Sequence, residues 1–86
     1  MKYVIFEING IETAILFQDT IGHDEIVRKI DQKVVSAGFC NPITSTTEYD
    51  GTLVPEWEVW GKSVSLGVNA RPQDYKVILK SVNFRA

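Results

Sequence analysis

Lys2-Tyr3-Val4-Ile5-Phe6-Glu7-Ile8-Asn9-Gly10-Ile11-Glu12-Thr13-Ala14-Ile15-Leu16-Phe17 reads as two strands joined by a tight turn. A type I′ turn needs positive φ at both central residues, and Asn9-Gly10 supplies the pair that tolerates it. A two-residue loop fixes the register. It sets Ile8 opposite Ile11, Phe6 opposite Thr13 and Val4 opposite Ile15, with Phe17 continuing that face. The other face carries Tyr3, Ile5, Ala14 and Leu16, then Glu7 opposite Glu12. Directly opposed like charges are unfavourable, so the hairpin tip is expected in water or beside a cation. The apolar base of that second face implies a cover.

Gln18 to Gly22 is a loop, and a helix fits His23 to about Gln32. With Gly22 as N-cap, Ile21 and Ile26 occupy the positions of a hydrophobic staple. Asp24 and Glu25 fall in the first turn and Arg28, Lys29 and Lys33 near the end, as the helix dipole favours. Lys33–Cys40 reads as a third strand, with Gly38 marking a close approach or a bulge, and Asn41-Pro42 is expected to end it. The polar stretch Ile43 to Pro55 fits either a hairpin turning at Asp50-Gly51 or a mobile excursion. Glu56–Lys62 is a fourth strand: Trp57, Val59 and Gly61 face one way, and Glu58, Trp60 and Lys62 the other. A last helix begins near Pro72 and is expected to stop near Asn83. Its apolar face is Tyr75, Ile78, Leu79 and Val82.

These elements predict a single α+β domain over residues 1–86. Its order is β-β-α-β-β-α, an antiparallel-rich sheet with both helices on one face. The reverse of the sheet then presents Tyr3, Ile5, Leu16 and Trp60, an apolar interface expected to meet a protein partner or a second copy in a homodimer.

Composition narrows the function classes. Of the 86 residues, 44% are hydrophobic and 23% charged, ordinary for a folded domain. The formal net charge of −2 lacks the basic surplus that phosphate neutralisation demands, which counts against nucleic acid. One cysteine, Cys40, cannot staple the fold, and with one histidine, His23, no Cys/His zinc site can be assembled. No cofactor or metal is implied. No apolar run approaches transmembrane length and none opens the chain as a signal peptide, so the expected location is cytoplasmic.

Several residues invite a chemical role. Gly61-Lys62-Ser63 suggests a phosphate-binding loop, but the glycine required five residues earlier is Glu56. Lys62, Ser63, Ser65 and Arg71 precede the last helix, whose N-terminus could hold an anionic ligand of phosphate or nucleotide type. The competing reading has the serines bonding local backbone and Arg71 solvated outside the helix. Cys40 and His23 are the one possible thiol and base, and no spacing brings them together. Asp19, Asp24, Glu25, Glu56, Glu58 and Asp74 show no pairing that singles out acid–base work. Trp57 and Trp60 must point to opposite faces. Trp60, beside Glu58 and Lys62, is either exposed at an interface or packed under residues 43–55.

Ser36-Ala37-Gly38-Phe39, then Gly61-Lys62-Ser63-Val64-Ser65-Leu66-Gly67, then Arg71-Pro72-Gln73-Asp74 carry a likeness. The chain resembles small uncharacterised proteins of phages and prophages over about its C-terminal half, and more loosely over the opening hairpin. The segment between Pro42 and Trp57 is longer here than in that pattern. The resemblance implies an accessory protein of a mobile element that binds something and turns over no substrate. The expected function is therefore non-enzymatic binding through the sheet surface and exposed aromatics, with the anionic-ligand binder as alternative.

Overall fold

A computed structural model describes residues 1–85, apart from the side chains of Tyr49 and residues 82–85. Strand β1 (Lys2–Ile8) pairs with β2 (Ile11–Phe17) in the register that the turn dictates, with Ile8 opposite Ile11 and Val4 opposite Ile15. Asn9 has φ 53° and Gly10 φ 78°, the left-handed pair a type I′ turn requires. Glu7 does lie opposite Glu12, and each carboxylate meets its own cation: Lys33 for Glu7 at 3.4 Å, Arg71 for Glu12 at 2.6 Å.

Helix α1 (His23–Lys29) is shorter than expected. Its Ile30 has left the helical region with φ −119°. Ile21 and Ile26 join one apolar cluster, as the staple anticipates.

Strand β3 (Lys33–Tyr49) does not end at Asn41-Pro42; it runs on and turns at Asp50-Gly51 into β4 (Thr52–Trp60). Of the two readings of residues 43–55 the hairpin therefore holds, and Asp50 (φ 53°) and Gly51 (φ 78°) repeat the turn chemistry of Asn9-Gly10. Pro42 is tolerated for a positional reason. The Cys40 N–H donates to the Met1 carbonyl at 2.9 Å, so the N–H groups of even-numbered residues here point toward β1. At residue 42 β1 has run out, and the missing N–H costs no ladder bond. A bulge between Pro42 and Thr46 follows.

After Gly61 (φ 81°) come two short strands, β5 (Lys62–Ser63) and β6 (Val68–Asn69), and then α2 (Asp74–Arg85). The helix starts two residues after Pro72 and continues beyond the expected stop at Asn83. Tyr75, Ile78 and Leu79 lie within it; the side chain of Val82, the last of the expected stripe, lies outside the described residues.

The main sheet is antiparallel with order β2-β1-β3-β4. Mixed α+β architecture with two helices holds, but the expected β-β-α-β-β-α order does not, since the separate β5–β6 pair precedes α2, and the helices do not share a face. Val4, Phe6, Phe17 and Ala37 pack with Ile26 of α1, while Tyr3, Ile5, Ala14 and Cys40 pack with Ile78 of α2. Neighbouring residues of a strand point to opposite sides, so each side of the sheet carries one helix. The cause is β1 itself. Tyr3-Val4-Ile5-Phe6 is an unbroken apolar run in a strand flanked on both edges, and such a strand must be covered on both faces.

Candidate functional site

The start of α2 gathers a polar network around the buried Asp74. Pro72 keeps Arg71 out of the helix, and the turn that follows brings Asp74 back onto it. The Arg71 backbone N–H donates to Asp74 Oδ2 at 2.8 Å, Arg71 Nε donates to Asp74 Oδ1 at 2.8 Å, and the Tyr3 hydroxyl donates to Oδ2 at 2.5 Å. Asp74 is wholly buried. The other edge of the Arg71 guanidinium forks onto Glu12, with Nη2 2.6 Å from Oε1 and Nη1 3.3 Å from Oε2. One chain of charge-assisted bonds thus ties β1, α2 and β2 together. Burial, then the bond to Asp74, pushes the Tyr3 phenol well above its ordinary range. The bond from Arg71 holds Glu12 below the usual carboxylate value, and the same bond holds Arg71 above its own.

This network competes with the expected anion pocket for Arg71. Arg71 is already engaged by two carboxylates, and the Asp74 carboxylate stands at the helix N-terminus where the ligand would sit. An incoming anion would meet negative charge there. Ser63 and Ser65 bond each other at 3.3 Å, and Ser63 Oγ accepts the Leu66 N–H at 3.3 Å, which is local backbone chemistry. Lys62 is exposed on β5. Among the described residues no hydrogen bond joins Lys62, Ser63 or Ser65 to Arg71.

Cys40 and His23 serve opposite sides of the sheet. Cys40 packs under α2 with Tyr3 and Ile78, and burial pushes its thiol up to about 11. His23 bonds the Gly38 carbonyl through Nε2 at 3.0 Å and sits edge-on between the rings of Phe17 and Phe39. A protonated thiol on the far side of the sheet gives that imidazole nothing to activate. Among the described residues no group of three His, Cys, Asp or Glu is placed to hold a metal ion, and no helix is long and apolar enough to cross a membrane.

The expected interface divides in the same way. Tyr3 and Ile5 are fully buried beneath α2, and Leu16 is half-buried against the same cluster. These three are core, so the apolar reverse expected as a partner surface is covered by the chain itself. Trp60 alone stays open, 44% exposed, its ring stacked on Phe39 with centroids 6.1 Å apart. It does not lie under residues 43–55. It ends a row of rings, Phe17, His23, Phe39 and Trp60, that crosses the α1 face of the sheet.

The two edges of the sheet differ. On β2 the outward Ala14 N–H is closed by Ser81 Oγ of α2 at 3.0 Å. On β4 the phase set by Cys40 makes Cys40–Val59 a non-bonded pair, so the N–H and C=O groups of Trp57 and Val59 point away from β3. Among the described residues no other backbone group meets them. Sequence reading leaves open whether Trp60 is exposed and sets it on the face of Tyr3 and Leu16 instead of the α1 face. It misses this edge because the phase of β4 follows from a hairpin at Asp50-Gly51 that is only one of two readings of residues 43–55. It also credited Asp74 to the helix dipole alone; the Arg71-Pro72-Gln73-Asp74 spacing, which folds an acid back onto an arginine, was the signal for its true partner.

Compared with protein-family models, curated proteins and solved structures, the chain matches none.

Proposed function

We propose that the chain is a non-catalytic interaction module that takes an extended segment of a partner protein alongside β4, with Trp60 as the side-chain anchor. The observation that carries this reading is the contrast between edges. On the β2 edge the helix closes the middle outward donor, Ala14 N–H, whereas β4 offers outward backbone groups at Trp57 and Val59 next to an exposed indole. Unpaired strand edges bind extended peptides through main-chain hydrogen bonds, and side-chain pockets select among them. Large aromatics in contact with solvent are the residues most often found to anchor such contacts. A place among accessory proteins of phages or prophages agrees with this reading and rests on the resemblance of the C-terminal half.

The test is selection of binders from a random peptide library, followed by amide hydrogen exchange of the loaded protein. Slowed exchange at Trp57 and Val59, abolished when alternate amides of the peptide are N-methylated, is the expected result. Binders that protect α1 or α2 and leave β4 unchanged would remove the proposal. An anionic-ligand site before α2 is not retained, because Asp74 and Glu12 already hold Arg71.

A further inference from the structure

The β4 edge has a charge pattern as well as free backbone groups. Glu56, Glu58 and Trp60 occur at every second residue, so they form one row on one face of the edge strand. Glu58 is exposed and Glu56 half-buried, and neither has an ion pair among the described residues. Among the described residues, the side-chain hydrogen bond that reaches either comes from Ser45 Oγ to Glu56 at 3.2 Å.

That row argues against a second copy of the chain. Two β4 strands paired about a two-fold axis must set outward residues against outward residues, so the two partner numbers sum to an even value. Centred anywhere from residue 56 to residue 58, every such register sets Glu56 against Glu56, Glu56 against Glu58, or Glu58 against Glu58. Like charges so placed repel across a strand pair. Pro55, on the same outer edge, removes one donor as well. The homodimer expected from the sequence is therefore disfavoured at this edge.

The same row favours a strand of opposite sign. We infer that the partner segment is an extended stretch of protein carrying Lys or Arg at alternate positions, two of them opposite Glu56 and Glu58 and the third over the Trp60 ring. Cross-strand pairs of opposite charge stabilise an antiparallel ladder. A guanidinium over an indole face adds a cation–π contact, for which tryptophan is the best of the aromatic rings. The spacing is the specific part of the inference, since only residues two apart share a face. This inference rests on the strand-addition reading above.

The probe is a synthetic peptide of alternating Thr and Lys with Arg at the first basic position, the one that faces Trp60 in an antiparallel pair. Its control has the same composition, permuted so that the basic residues fall three apart. Isothermal calorimetry should show the alternating peptide binding about 5–30-fold more tightly than the permuted one, with slowed exchange at Trp57 and Val59. Charge reversal with E56K and E58K should abolish binding of this peptide and transfer it to the Thr/Glu counterpart. The milder E56Q/E58Q chain, checked for an unchanged circular dichroism spectrum, should weaken it without gain for the acidic peptide. Equal binding of the alternating, permuted and acidic peptides, still with protection of β4, would overturn the basic partner and leave strand addition standing. Binding of none of these peptides, or binding without protection of Trp57 and Val59, would overturn both.

Discussion

At the scale of the residue, Asp74 decides more than any other side chain. It accepts from Tyr3, from the Arg71 backbone and from the Arg71 guanidinium, and it is sealed from water. Arg71 keeps Glu12 as a partner, but without Asp74 the buried Tyr3 hydroxyl and the Arg71 backbone N–H lose their acceptor, at about 1–3 kcal/mol for each buried group left unsatisfied. Asp74→Ala should therefore lose about 3 kcal/mol by urea denaturation. Tyr3→Phe, which leaves Asp74 two donors from Arg71, should lose only about 1–2 kcal/mol. Equal losses in the two variants would mean that the phenol and not the arginine holds the carboxylate. Glu12 sits on the outer end of the network, and its contribution depends on pH with a defined sign. Its folded value is depressed by the Arg71 bond. Its stabilisation is thus fully present above the unfolded value near 4.5 and is lost as pH falls through the lower folded value. The pair is partly exposed, so the effect is small, about 0.2–1 kcal/mol. Urea midpoints of the native chain and of Glu12→Gln should differ at pH 7 and converge as the pH falls below 4.

At the scale of the element, what the sequence made readable was local and what it hid was non-local. The opening hairpin could be placed residue by residue because Asn9-Gly10 specifies its own turn, and the turn specifies the register. Asp50-Gly51 carries the same instruction. Pro42 was misread as a stop because its tolerance depends on where β1 ends, forty residues away in sequence. The helix faces were misassigned for a similar reason. Tyr3-Val4-Ile5-Phe6 already announced a strand buried on both sides, yet which helix covers which side depends on packing that no local period encodes. Gly38 shows how closely the later elements cross. A Cβ there would lie 2.6 Å from the Trp60 carbonyl oxygen and 2.9 Å from Ala70 Cβ. The oxygen belongs to backbone and cannot step aside, so Gly38→Ala should cost about 1–3 kcal/mol. The melting temperature should fall, and the Trp60 emission should shift as its strand end is displaced. A stable variant with native emission would show that the β3–β4 crossing is looser than the structure has it.

At the scale of the whole molecule, the question is whether two faces make one core. The α1 face holds Phe6, Phe17 and Ile26, and the α2 face holds Tyr3, Ile5 and Ile78. Both rest on the same central strand, so neither can be exposed without stripping β1. A chain of this size gains too little from either side alone, since domains of about 60–90 residues bury only some 60–65% of their unfolded surface. The two clusters should therefore unfold in one cooperative step. Each tryptophan reports on one of them: Trp57 packs with the α2 cluster, and Trp60 stacks on Phe39 on the α1 side. In the single-tryptophan chains Trp60→Phe and Trp57→Phe, each referenced to its own circular dichroism transition, fluorescence and ellipticity should share a midpoint and a slope. A Trp60 transition that precedes the loss of secondary structure, while the Trp57 transition coincides with it, would make the α1 face a separate and weaker unit. The β4 edge spans both faces, because the Trp57 and Val59 side chains lie on one and Glu56, Glu58 and Trp60 on the other. A single transition means that a strand added there is held by the whole fold, and that its binding should raise both midpoints together.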